Sequence, residues 1–255
     1  MNELFEKLTW LPRVPCDFLD RLNKIDSENE LLALSNYALD DIQLNHIAKS
    51  FIKMKSSSVE FQKLQPMVLG VISNGTTSFL ESALTGTALR HGIGLDVIEA
   101  KFNQIAQLAL SSEPIFNGTK VDAILLAIDY RGIPLQSSLG SSEAESNTVN
   151  RSYDYILNIV DSLQVKTGAK IILQNIVPPC DSISGSFERR LTGTITSIIN
   201  KINARLDGLV KDNLYVLDVN SLAINVGLSN WHDPKYWNIA KLSFAVVTAD
   251  AIMTH

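Results

Sequence analysis

The stretch 66-PMVLGVISNGTT-77 decides how this chain is read: an apolar run that stops abruptly at Ser73-Asn74-Gly75-Thr76. A run with so little polar alternation suits a strand buried on both faces, the usual state of strands in parallel sheets. Working outward, runs of the same kind recur at 121-VDAILLAID-129, 169-AKIILQNIV-177 and 214-LYVLDV-219, with a shorter one at 95-LDVIEA-100. Between them lie the helix-like stretches 77–92, 102–112, 150–168 and 188–208. Strands alternating with helices predict an α/β fold: a three-layer α/β/α arrangement on a mostly parallel five-stranded sheet of the flavodoxin type. Ahead of the sheet, from Phe18 to Lys53, apolar residues such as Leu31, Leu34, Leu44, Ile47 and Phe51 recur at helical spacing. Lys53 to Ser58 breaks that pattern, so the expected division is a helical segment over 1–58 and a sheet domain over 59–255.

Composition narrows the function classes. The chain has 255 residues, 45% hydrophobic and 19% charged, enough for one sizeable core with a small appendage. A net charge of −5 with no basic block argues against a nucleic-acid partner or an anionic membrane surface. Cys16 and Cys180 are the only cysteines, so neither a disulfide framework nor a CxxC metal site is present, and a reducing compartment is expected. The opening MNELFEKLTW lacks the features of a secretory signal, and no apolar run reaches membrane-span length. The expected location is the cytoplasm.

In open α/β sheets, ligands bind beyond the carboxyl ends of the strands. Ser73, Asn74, Gly75 and Thr76 follow the first run, where a hydroxyl and backbone N–H groups suit either an oxyanion or a plain helix cap. Neither GxxxxGK[ST] nor GxGxxG occurs, which excludes the common phosphate loops. Asn103 lies beyond the 95–100 run; Asp129 and Arg131 follow the third run, to orient an anionic substrate or to pair with each other. His232 and Asp233 stand between two tryptophans just before Pro234, where the imidazole is a candidate general base and Asp233 an alternative helix cap. Residues 136-QSSLGSSEAESN-147 read as a mobile loop beside this rim. No His or Cys pair has ligand spacing, so neither a metal nor a cofactor is expected.

Taken together, VLGVISNGTTSFLESAL, IEAKFNQIAQ, VDAILLAIDYRGIP, FERRLTGTITSIINKINARL and LDVNSLAINVGLSNWHDPKYWNIAKLSFA resemble the N-terminal region of the FkbH-like proteins. The resemblance implies an SGNH (GDSL-like) hydrolase fold, usually followed by a HAD-type phosphatase domain. The better-understood members load a glyceryl group onto an acyl carrier protein in polyketide and related pathways. It therefore implies a small acyl or glyceryl substrate, with an acyl carrier protein or a HAD phosphatase domain as partner. No DxDxT motif occurs, and Ala251 to His255 falls about where a linking helix would lead into the HAD domain, so that domain is expected to be absent.

Three of the four SGNH blocks are altered. Laid over Gly-Asp-Ser-x-Thr by its Thr, the chain puts Asn74 where the nucleophilic Ser belongs and Ser73 where the Asp belongs. A carboxamide cannot attack an ester. Asp129 falls at the oxyanion Asn, where a carboxylate repels developing negative charge unless protonated. The terminal Asp-x-x-His becomes Ser229-Asn230-Trp231-His232, keeping only the His. Two readings stay open. One is an enzyme of ester or thioester chemistry, with Ser73 as nucleophile, His232 as base, Asp233 or Asp129 as orienting carboxylate, and Asn74, Gly75 and Asn103 as oxyanion donors. The other is a catalytically degenerate SGNH-like fold that binds a carrier protein or a HAD partner.

Overall fold

The computed structural model describes residues 10–57, 59–181 and 183–242. The short helices α1 (Phe18–Asn23) and α2 (Glu28–Ser35) and the long α3 (Asp41–Ser56) lead into β1 (Gln65–Ser73), α4 (Ser78–Arg90) and β2 (Ile93–Glu99). Then come α5 (Ile105–Leu110), β3 (Ala123–Ala127), α6 (Ser142–Thr167), β4 (Lys170–Gln174), α7 (Ile195–Asp207) and β5 (Leu214–Leu217). Three short helices close the described chain, α8 (Val219–Val226), α9 (Leu228–Trp231) and α10 (Pro234–Ala240). The five strands form one all-parallel sheet in the order β2-β1-β3-β4-β5, so the predicted fold class stands. In this order the chain reverses direction at β1, which makes the gap between β1 and β3 the topological switch point. Ala251 to His255, read above as the approach to a linking helix, lies outside the described residues.

The chain divides into two compact units, the first holding residues up to Val68 and Thr77–Val97, the second Leu69–Thr76 and Ile98 onward to residue 242. In the first, Leu31, Leu34, Ile47, Phe51 and Leu89 are almost completely buried. Helix α3 begins in a capping box: the Gln43 N–H donates to the Asp40 carboxylate and the Asp40 N–H to the Gln43 side-chain oxygen. The helix continues through Lys53 to Ser56 instead of breaking. Met54 remains on the buried stripe, and the Ser56 and Ser57 hydroxyls donate to the Lys53 carbonyl in the last turn. Gly86 allows α4 to approach α3 closely, since a Cβ there would stand 2.7 Å from the Leu44 carbonyl oxygen.

In the second unit, β1 pairs with β3, β3 with β4 and β4 with β5, all in parallel. Ile124, Leu126, Ile171 and Leu173 are essentially inaccessible, as strands covered on both faces require. Gly70 leaves room for the Phe116 ring, whose Cζ would lie 2.3 Å from a Cβ at that position. Helix α6 starts at Ser142, well before the expected 150, so the second half of the supposed mobile loop is helical. Ser141 caps it by accepting from the Ala144 N–H. Residues 137–140 are tied to the segment before α7: the Ser138 N–H and Ser137 hydroxyl donate to the Gly193 carbonyl, and the Gly140 N–H donates to that of Thr192.

Candidate functional site

The site is built where the sheet order reverses. Ser73 at the end of β1 stands in register with Ala127 at the end of β3, so the residues leaving these strands emerge side by side at the switch point. Asn74 and Asp129 meet there in a reciprocal pair. The Asn74 Nδ2 donates to Asp129 Oδ1 at 2.6 Å, and the Asp129 N–H returns a bond to Asn74 Oδ1 at 2.9 Å. Both residues are buried. Gly132 permits this contact, because a Cβ on it would lie 2.9 Å from the Asn74 carboxamide carbon and 2.8 Å from Ile128.

Ser73 turns back on its own chain: its Oγ accepts from the Gly75 N–H at 2.9 Å, a local hydroxyl-to-backbone turn. Its carbonyl accepts from the Asn103 N–H at 3.3 Å, with Asn103 held at φ 53°. Thr76 is latched to the end of α10. Its N–H donates to the Lys241 carbonyl at 2.9 Å and its hydroxyl to the Ala240 carbonyl at 2.6 Å.

Arg131 joins these groups. Its backbone N–H donates to Asp129 Oδ1 and its guanidinium to Oδ2, each at 2.8 Å. The guanidinium carbon also lies over two rings, 4.3 Å from the Tyr130 centroid and 4.2 Å from that of Trp237. Lys241, at φ 55°, brings its ammonium to 5.4 Å from the same indole. Tyr130, whose hydroxyl pKa is pushed up by burial, meets the His232 ring edge-on with centroids 5.7 Å apart.

His232 is buried, with Nε2 3.2 Å from the Pro178 carbonyl oxygen. A carbonyl can only accept, so Nε2 must carry the proton for this contact to be a hydrogen bond, and in that tautomer Nδ1 is the basic nitrogen. Asp233 caps α10, accepting from the Lys235 N–H at 2.9 Å and more weakly from that of Tyr236 at 3.4 Å. Cys180 has its thiol pKa raised by burial and by the Asp181 carboxylate, the opposite of an activated nucleophile.

The structure thus brings Asn74, Asp129 and Arg131 into one hydrogen-bonded set, with Ser73, Gly75, Thr76 and Asn103 linked to it through the backbone of the β1 turn. Reading the sequence strand by strand missed Trp237 and Lys241. The aromatic spacing of 231–237 was visible, but its docking against the β1 turn and Arg131 depends on tertiary packing. Among the described residues, no group of three His, Cys, Asp or Glu side chains is arranged to hold a metal, and no helix is long and apolar enough to cross a membrane.

Fold and site define an α/β protein with a polar rim at the switch point of its parallel sheet. The chain belongs to the family described as FkbH, N-terminal domain, which matches residues 68–253. Among solved structures it is similar to the N-terminal part of the protein BF1531 from Bacteroides fragilis, described as containing a phosphatase domain complexed with Mg. The TM-score is 0.61 and the identity 14%, over 90% of this chain and 55% of that one. This chain therefore spans about half the length of that structure. It is also similar to the salicylyl-acyltransferase SsfX3 from a tetracycline biosynthetic pathway, at a TM-score of 0.41 and 12% identity, over 76% of this chain and 53% of that one. At such identities the first likeness speaks to the fold alone, and the second carries no further argument. No curated protein sequence matches this one.

Proposed function

We propose that this domain is a catalytically degenerate SGNH-like fold that acts as a binding platform in acyl or glyceryl transfer. It receives an acyl carrier protein, of polyketide or related biosynthesis in the cytoplasm, for a HAD-type phosphatase partner, and forms no acyl-enzyme of its own. The observation that carries this reading is the reciprocal Asn74–Asp129 pair. It fills the position where an SGNH enzyme presents its serine, and it puts a carboxylate where such an enzyme needs an oxyanion donor. Ser73, one residue earlier, has its hydroxyl engaged by the Gly75 N–H, and Asp233 is engaged as a helix cap. A fluorophosphonate probe is expected to leave the wild-type protein unlabelled, while a carrier protein binds and loses affinity when Asn74 or Arg131 is changed. Labelling of wild type that disappears in Ser73→Ala would overturn the proposal.

That second outcome belongs to the enzyme reading, favoured by one observation: Ser73, at the end of β1, and His232, in the chain that follows β5, are both buried polar groups. In it the Ser73 hydroxyl attacks an ester or thioester carbonyl, His232 takes its proton and returns it to the leaving group, and water then releases the acyl group. Asn74, Gly75 and Asn103 donate to the oxyanion, and Asp233 or Asp129 orients the imidazole. For Nε2 to take that proton, its bond to the Pro178 carbonyl must first be given up.

A further inference from the structure

We infer that Arg131 and Lys241, held by Tyr130 and Trp237, form a recognition site for the phosphate group of a phosphate ester at the switch-point rim. The starting observation is an unbalanced set of donors. A guanidinium carries five N–H donors. Arg131 directs one of its side-chain donors at Asp129, and the others have no acceptor among the described residues. An arginine present only to neutralise Asp129 would use its fork bidentately and would need no second cation. Here a second cation is present: the Lys241 ammonium lies against the same indole and has no carboxylate partner among the described residues. The one buried carboxylate at the site, Asp129, already accepts from Asn74 and from two donors of Arg131.

The cations are also fixed before any ligand arrives. Two rings and one carboxylate hold the guanidinium, which is still partly open to solvent with its side chain 23% exposed. Prior ordering removes most of the entropy that an arginine loses on binding. Lys241 is the αL cap of α10, anchored through its carbonyl to the Thr76 N–H, so its side chain starts from a set position. A guanidinium and an ammonium can each take a separate oxygen of a phosphate group, and the Tyr130 and Trp237 rings offer apolar surface to the organic part of an ester. The opposing charge is Asp181, exposed in the loop after β4 and acting on Tyr130.

Two sources share this chemistry: the phosphodiester that joins a pantetheine arm to a carrier protein, and a free phosphate ester. Only the first rests on the proposed carrier-protein function. Isothermal titration of the whole chain with inorganic phosphate, 4′-phosphopantetheine and phosphate-free pantetheine separates them. The phosphate-bearing probes should bind and pantetheine should not. Lys241→Gln, at an exposed helix end, should weaken binding about tenfold without lowering the unfolding midpoint, the size expected for one charge-assisted contact. Arg131→Gln should weaken it at least as much. Tighter binding of 4′-phosphopantetheine than of inorganic phosphate supports the site and shows that it also reads the pantetheine arm, whether free or carried by a protein; equal binding supports it as a general phosphate site. No binding of either phosphate probe, or binding unchanged in Lys241→Gln, overturns the inference. If carrier-protein binding persists in that case, the proposed function survives without this site.

Discussion

Asp129 and Glu145 are both buried carboxylates near the start of a helical turn or helix, and each faces one cation, yet they hold different things. Glu145, in the first turn of α6, is completely buried. It accepts from the Gly193 N–H at 3.1 Å, from the Ser197 hydroxyl at 2.6 Å and from the Lys201 ammonium. Its donors come from Gly193 just before α7 and from Ser197 and Lys201 within it, so it clamps the entrance of α7 against the start of α6. Burial works to raise its pKa, but Lys201, Ser197 and Gly193 together outweigh this and hold the carboxyl below its ordinary range. Asp129 instead collects donors from the β1 turn and from the turn that it begins itself, and its cation is stacked between two aromatic rings. The one carboxylate fastens a helix start to a segment distant in sequence; the other fixes a guanidinium that two rings also hold.

The contrast breaks first at Glu145. Glu145→Ala should lower stability by about 4 kcal/mol in urea unfolding, because it strands buried donors, while phosphate affinity stays unchanged. The companion substitution Gly193→Ala acts on the same clamp from the other side. A Cβ there would sit 2.0 Å from the Ser138 carbonyl oxygen, at φ 84°. The loss should be about 3 kcal/mol, as backbone has to move. Asp129→Ala comes next, at about 2 kcal/mol, since Asn74 keeps the bond from the backbone N–H of residue 129 and the guanidinium stays packed between the Tyr130 and Trp237 rings. Unlike the Glu145 change, it should also degrade phosphate binding by releasing Arg131 from its carboxylate.

Acid titration sharpens the same comparison. The folded-state pKa of Glu145 is depressed, so its contribution is fully present above the unfolded value near 4.5 and is lost as pH falls from there through the folded value. Asp218 acts in the same sense. Burial raises its pKa, but the Ser221 hydroxyl and N–H and the Asn175 amide outweigh this. Wild type should therefore lose stability below about pH 4.5, and Glu145→Ala should show a shallower acid slope in unfolding midpoints measured across that range. An unchanged slope would remove Glu145 from the acid response.

The parallel sheet was legible because strands buried on both faces are nearly continuous apolar runs, as in β3 and β4, and the edge strands β2 and β5, though partly exposed, keep the same apolar character. The start of α6 was not. Residues 142-SEAESNTV-149 look like a solvated loop, since Glu145 and Thr148 are polar at positions that the fold buries. Only their partners in the segment before α7 and in the 134–136 turn make burial tolerable, and those partners are distant in sequence. At the rim the same limit applied. Asn74, Asp129 and Arg131 were found by reading strand ends, because topology fixes where such ends gather. Trp237 and Lys241 reach the site through a helix whose docking no local pattern encodes.

The smallest effect tests the opening stretch itself. Replacing Ser73 by Ala removes the acceptor of the Gly75 N–H, leaving one buried donor without its partner at a cost of about 1 kcal/mol. The Asn74–Asp129 pair and the Thr76 latch do not use the Ser73 hydroxyl, so phosphate affinity and carrier binding should stay at wild-type values. Were Ser73 a nucleophile, the same substitution would abolish ester turnover while barely touching stability. Measuring unfolding, phosphate affinity and ester hydrolysis on this one variant therefore separates a serine that shapes the β1 turn from one that reacts there.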